Sequence, residues 1–276
     1  MLKIRAMSKA DIKFAVGLTE AENWGNQVAD FERLIKIDTQ GCFVGYEKEH
    51  PIGIITTVDF GQLGFLGNLI VKKEFRGRGY GRCLMQHGFD YLKSKKLKAI
   101  ELDGDFPAVR LYRKLGFKDK YLSFRLLRNP GGNSPIEKSR TSVPAGQVAE
   151  FDEKATGLHR SDFLADYAGL HQEHLYTIKR PGVVAYGIVK VADRGFSTLG
   201  PLIADEPTDA ETIISTITRN YNALLLGIGV PENNPQAVEI LLNYGFYYEV
   251  PSLRMYYGER IDYENKIYGI IAGDVG

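Results

Sequence analysis

Cysteine is scarce in this chain, with only Cys42 and Cys83 among 276 residues. Two thiols build no disulfide framework, and Cys83 falls among apolar helical positions, so both are expected as buried free thiols. No apolar run approaches membrane-spanning length, which excludes a helical membrane protein. The opening Leu2-Lys3-Ile4-Arg5 alternates as a strand does, unlike a signal peptide, and the expected location is cytoplasmic. Excess charge of one sign is also missing, because 35 Lys and Arg stand against 34 Asp and Glu, a formal net charge of +1. That balance disfavours nucleic acid as a partner. Histidine is rare too: His171 and His174 stand three apart without a third ligand nearby, so no metal site is expected.

What is present is enough for a packed core, with 44% hydrophobic residues and a length that fits one large or two ordinary domains. Asn129-Pro130-Gly131-Gly132-Asn133-Ser134-Pro135, with Pro144 later, breaks all periodicity. The division is therefore residues 1–128, a linker 129–145, and residues 146–276. Charge divides at the same place. The first part has 23 Lys and Arg against 15 Asp and Glu, a balance of +8, and the remainder has 12 against 19, a balance of −7. A basic first half suits a polyanionic ligand; an acidic second half suits a cationic acceptor, or equally the first half itself.

The most informative segment is an apolar strand, Asn68-Leu69-Ile70-Val71, that runs through Lys72-Lys73-Glu74-Phe75 into Arg76-Gly77-Arg78-Gly79-Tyr80-Gly81-Arg82 and then a helix. Alternating glycines permit close backbone approach and left-handed dihedrals. Their amides, at a helix N-terminus, form an anion-binding concavity. A Walker A loop would require Gly-Lys-Ser/Thr, but Gly81 is followed by Arg82-Cys83. A dinucleotide fingerprint counted from Gly77 and Gly79 would need glycine where Arg82 stands. Arg76-x-x-Gly79-x-Gly81 remains. Downstream, apolar spacing predicts a helix from Gly79 to about Lys96 and a strand Ala99 to Leu102. A turn at Asp103-Gly104-Asp105 then precedes a helix Pro107 to Leu115, capped by Gly116.

The loop, with the later Tyr112-Arg113-Lys114-Leu115-Gly116-Phe117, resembles the acetyl-CoA-binding motif and the tyrosine-bearing helix of the GNAT superfamily of N-acetyltransferases. An echo appears in the second half. Leu66-Gly67-Asn68-Leu69-Ile70 returns as Leu199-Gly200-Pro201-Leu202-Ile203, and Leu115-Gly116-Phe117 as Tyr244-Gly245-Phe246. The second copy lacks the chemistry: Asp205 to Glu211 is acidic and without glycine where the loop should be, and Leu241 replaces Tyr112. The whole resembles GNAT acetyltransferases with a degenerate GNAT-like domain at the C-terminus. The implied fold class is α/β (α+β), two tandem GNAT-like domains, each a mixed twisted sheet flanked by helices.

The resemblance implies acetyl-CoA as donor and a primary amine of a small molecule or peptide as acceptor. It implies cofactor contacts along Leu69, Ile70 and Val71 and around Arg76, Gly77, Arg78, Gly79, Tyr80, Gly81 and Arg82. Tyr112 is the implied acid that protonates the departing thiolate. An amine of the lysine type titrates near ~10.4, so a base or water chain must deprotonate it. Glu22, Asp59, Glu101 and Asp103 are the acidic candidates, none singled out by sequence. The loop holding Trp24, the only tryptophan, and Asn26 is the expected acceptor-binding segment. Asp162, Arg254 and the cluster Tyr244, Phe246, Tyr247 and Tyr248 are candidate pocket walls, with packing the better default for the aromatic cluster. A non-catalytic acyl-CoA sensor, or an acyl or aminoacyltransferase using another donor, stays open as an alternative. The oligomeric state is open as well.

Overall fold

The computed structural model describes residues 2–133, 135–139, 141–192 and 196–276. The first half contains strands β1 (Leu2–Ala6), β2 (Cys42–Glu47), β3 (His50–Asp59), β4 (Leu63–Val71), β5 (Ala99–Gly104) and β6 (Lys118–Arg128). Its helices are α1 (Ile12–Ala21), α2 (Val28–Ile37), α3 (Tyr80–Ser94) and α4 (Phe106–Lys114). The second half adds α5 (Ala145–Thr156), α6 (Ser161–Leu170), α7 (Pro207–Asn220) and α8 (Pro235–Asn243). Its strands are β7 (Leu175–Lys179), β8 (Val183–Lys190), β9 (Ser197–Ala204), β10 (Leu226–Pro231), β11 (Tyr247–Tyr248), β12 (Ser252–Gly258) and β13 (Ile267–Gly269).

Alternation along the strands decides the layers, because successive side chains point to opposite faces. Ile54, Val58, Leu63 and Ile70 feed one core with helices α1 and α2. Ile55, Leu66 and Val71 feed another, against Leu84, Met85, Phe89 and Leu92 of α3. With both faces covered, β3 and β4 read as near-continuous apolar runs. In the second half, Ala210, Ile213, Ile214 and Ile217 of α7 make the equivalent layer. The core that holds Phe31 and Leu34 of α2 continues into Phe163, Leu164 and Tyr167 of α6, so apolar packing crosses the halves. Arg33 reinforces the crossing, bonding Asp166 at 3.0 Å and lying 4.9 Å over the Tyr167 ring.

The thirteen strands among the described residues form one mixed sheet, in the order β1-β2-β3-β4-β5-β12-β6-β10-β9-β8-β7, with β11 beside β6 and β13 beside β9. Strand β12, from the second half, lies between β5 and β6 of the first, pairing Leu253 with Gly104 and Leu122. Strand β6 in turn crosses to β10, pairing Leu226 with Arg128. Each half therefore completes the sheet of the other. A buried charged network ties this exchange together. Arg254 donates to Asp103 at 2.7 and 3.0 Å and to the Tyr263 hydroxyl at 2.9 Å, and Lys120 donates to Glu101 at 2.7 Å and also to Glu264.

Several sequence expectations shift. Asp103 and Gly104 belong to β5 rather than to a turn, because β12 supplies them with ladder partners. Cys42 is buried as expected, but Cys83 is exposed, since it falls on the outer side of α3. In the second half, β10 is held in place by β6. No helix among the described residues is long and apolar enough to cross a membrane.

Candidate active site

The site begins where two parallel strands part. Strands β4 and β5 pair from Leu63 with Ala99 to Leu66 with Leu102, and no further. At that point β4 bulges: its register against β3 shifts between Ile54 and Thr56, and Asn68 sits at φ 48°. Asparagine is among the few side chains that tolerate the left-handed region. The bulge carries Leu69, Ile70 and Val71 away from β5 and opens a cavity of about 660 Å³, within the size range of small-molecule sites. Leu69, Ile70, Val71, Arg76, Tyr112, Trp24 and Asn26 all line this one cavity.

Residues Gly77 to Arg82 lie beyond the cavity lining, at the adjacent start of α3. Gly77 and Gly79 have φ of 77° and 83°, and no atom lies within 4 Å of where a Cβ would project from either. Among the described residues the backbone amides of Gly77 through Arg82 donate to no protein group. Six unused donors at a helix N-terminus, over open space, suit the diphosphate of a CoA-type ligand. The arginines differ in their freedom. Arg76 is anchored, Nε donating to the Val71 carbonyl at 2.8 Å and the guanidinium pairing with Glu22. Arg78 lies 5.3 Å over the Phe75 ring, and Arg82 is exposed.

Tyr112 lies on α4 at the β5 side of the opening. Its ring fits only because residue 104 is glycine; a Cβ there would meet the ring at 2.8 Å. Burial, with a smaller contribution from Asp105, pushes its phenol well above the ordinary range, so it keeps its proton at any working pH. That makes Tyr112 a hydrogen-bond donor and not a base.

The sequence acids fare differently. Glu101 and Asp103 are consumed by Lys120 and Arg254, and Glu22 by Arg76. Arg254 is a fully buried structural cation and not a pocket wall. Asp162, Tyr244, Phe246, Tyr247 and Tyr248 are likewise absent from the cavity, whose second-half wall is built by Thr198, Gly227, Gly229, Glu249 and Val250.

Sequence reading missed the segment 270–276. It lies against the echoed glycines of both halves: a Cβ on Gly200 would sit 2.1 Å from the Ile270 carbonyl oxygen, and one on Gly67 2.1 Å from that of Asp274. In the second half, β9 and β10 pair only at Ser197 with Leu226 and Thr198 with Gly227 before parting. There β13 adds to β9, and Ile270 donates to the Gly229 carbonyl at 2.9 Å, filling the gap with the chain's own backbone. In the first half the same segment brings Asp274 to the rim, where Oδ2 accepts from Asn26 and Asn68 at 2.8 Å each. The paired glycines were the available signal.

Two family profiles match this chain. "Acetyltransferase (GNAT) family" covers residues 15–117 and "Acetyltransferase (GNAT) domain" covers residues 148–269. The chain belongs to the GNAT acetyltransferases. It is a tandem GNAT transferase, similar over 263 residues (26% identity; 93% of this chain, 88% of the other) to holothin acyltransferase of Pseudoalteromonas sp. (strain SANK 73390). A shorter likeness joins it to mycothiol acetyltransferase of Arthrobacter sp. (strain FB24), 37% over 102 residues, spanning 35% of this chain and 29% of that protein. Among solved structures, a candidate acetyltransferase from Pyrococcus horikoshii superposes with a TM-score of 0.81 at 25% identity, covering 100% of this GNAT chain and 96% of its own. A tandem GNAT protein from the clavulanic acid biosynthesis pathway shares the fold, with a TM-score of 0.64 at 11% identity and coverage of 93% and 98%.

Proposed function

We propose that this GNAT protein is an acetyl-CoA-dependent N-acetyltransferase acting on a primary amine of a small molecule or peptide in the cytoplasm. Its single centre belongs to the domain formed by residues 1–128, joined by the linker 129–145 to a degenerate domain, residues 146–276. The observation that carries the reading is the row of unpartnered amides from Gly77 to Arg82 beside an open β4–β5 gap. The holothin acyltransferase relative, similar over most of both chains, supports acyl transfer as the reaction.

Acetyl-CoA, when bound, supplies the activated acyl group. The chain's own work is to hold and orient. The amides of Gly77 through Arg82 and the α3 N-terminus complement a diphosphate, with Arg76, Arg78 and Arg82 around it. The unpaired edge of Leu69 to Val71 offers backbone groups for an extended amide-bearing arm and a donor for a developing oxyanion. Tyr112 holds a proton on Oη for a departing sulfur.

Calorimetry with acetyl-CoA, followed by thiol release across a panel of primary amines, tests the whole reading. One acetyl-CoA per chain and turnover with at least one amine are expected; absence of acetyl-CoA binding would refute it. Tyr112→Phe should lower kcat about 10²-fold with acetyl-CoA affinity unchanged, and unaltered turnover would remove the acid role alone.

A further inference from the structure

One carboxylate on the cavity wall is arranged unlike the others. Asp103, Asp105 and Glu22 are each held by an arginine, Arg254, Arg125 and Arg76 respectively. Glu249 is exposed at the rim. Asp274 has no ion-pair partner among the described residues, and its only protein partners are the two amides of Asn26 and Asn68, both on Oδ2. Oδ1 carries no hydrogen bond and is not among the sealed polar atoms. Beside it, Asn68 is 3% exposed and spends its Nδ2 on Asp274 and on Thr56 Oγ1, which leaves Asn68 Oδ1 buried without a partner. A carboxylate oxygen without a protein donor thus stands on the cavity wall at the β4 bulge, its partner oxygen fixed by Asn68, one residue before the cofactor strand edge. An anionic acceptor with no protein donor is the complement of an ammonium group, which carries three donors and no acceptor.

We propose that Asp274, carried into the first domain by the C-terminal segment and held there by the amides of Asn68 and Asn26, binds the acceptor's primary ammonium through Oδ1 and removes its proton. This rests on the acetyltransferase reading and deepens it, since it assigns the base and specifies an acceptor that arrives as a cation. In the step, one ammonium proton passes to Asp274 Oδ1 and onward to solvent. The freed nitrogen lone pair forms the C–N bond, and the C–S bond breaks with its electron pair on sulfur, which takes a proton from Tyr112 Oη. The second proton shed by the new amide nitrogen restores the balance by returning to the phenolate.

The surroundings favour a base. Burial, then Asp30 of α2, pushes the Asp274 carboxyl above the usual carboxylate range, against the lowering effect of Asn68, Lys190 of β8 and Asn26. Asp30 is itself held by Lys190 and Arg33, and the Tyr167 phenol of α6 faces the same cluster in its neutral form. A carboxyl nearer neutrality is the better proton acceptor from an amine.

Trp24, the only tryptophan, lines the same cavity and reports on its occupancy. The full chain is titrated with n-hexylamine and with neutral 1-hexanol by Trp24 emission, and acetyl-CoA affinity is read separately by calorimetry. Hexylamine should give a saturable change that hexanol does not, and Asp274→Asn should weaken hexylamine at least about tenfold while acetyl-CoA affinity stays within about twofold. Asp274→Glu should recover part of the loss. With the best amine of the panel, Asp274→Asn should also abolish the acid limb of the kcat/KM profile. An unchanged hexylamine affinity in Asp274→Asn, equal binding of hexanol, or no hexylamine response in the parent would each overturn the proposal. Failure of acetyl-CoA to bind, with the hexylamine arm intact, would sink the acetyltransferase reading instead.

Discussion

The two halves part their central strands at the same repeated glycine, and they fill the opening in opposite ways. Below Gly67 the gap stays open, flanked by a glycine loop whose amides are unused. Below Gly200 the gap is occupied by β13 and Ile270, and the position of the loop holds an acidic helix start, with Asp209 paired to Arg180. The second cleft has thus been satisfied from within. A splayed pair of strands leaves backbone groups that must find partners, and a domain without a ligand meets that need with its own chain.

The comparison is broken most severely by separating the halves. Residues 1–128 alone lack β12, which leaves β5 and the Glu101–Lys120–Arg254–Asp103 network without its central strand. The fragment should show no cooperative urea transition and no acetyl-CoA binding, and addition of residues 129–276 should restore both. Arg254→Met leaves two buried carboxylates short of their cation and should cost about 3–5 kcal/mol of stability by urea melts, the figure for one-sided loss of a buried pair. Gly79→Val forces a β-branched residue to φ 83° and should weaken acetyl-CoA about 10–100-fold by calorimetry, at a strain of about 1–3 kcal/mol. Pro207→Gly in the second half, at the matching helix start, should leave that affinity unchanged.

The smallest expected effect is in pH. Burial, helped by Arg33 and Lys190, lowers His171 to about 4, below its unfolded value near ~6.5. The unfolded chain binds the extra proton first, so this contribution to stability is complete above about pH 6.5 and is lost as pH falls toward about 4. It amounts to about 1–3 kcal/mol. His171→Gln should flatten the stability curve over that window, and an identical slope in parent and variant would show that the ring is solvated.

The loop from Arg76 to Arg82, the Tyr112 helix and the repeat were legible because each is a local pattern: glycine spacing, helical period, a cap. Strand β12 was not, because nothing in Ser252 to Gly258 tells whether its partner is near or 150 residues back. The aromatic cluster at Tyr244 to Tyr248 follows its default, packing, and not the pocket wall also considered for it. Phe246 is core, Tyr247 and Tyr248 edge β6, and none reaches the cavity, since the exchange turns that edge away. Asp274 was invisible as a lone acid in a short tail; only the two close approaches at Gly67 and Gly200 show what the tail does.

Strand exchange also sets an order of events during synthesis. Gly104 finds its ladder partner in Leu253, so β5 and β6 stay unjoined until Ser252–Gly258 has emerged. Non-local closure of this kind is slow, and the interim species exposes a raw edge of β5 to neighbouring chains. Two copies of this protein, caught at that stage, hold each other's missing strand. A reciprocal dimer is the misassembly the architecture invites, and its yield should rise with the concentration at which the chain is refolded.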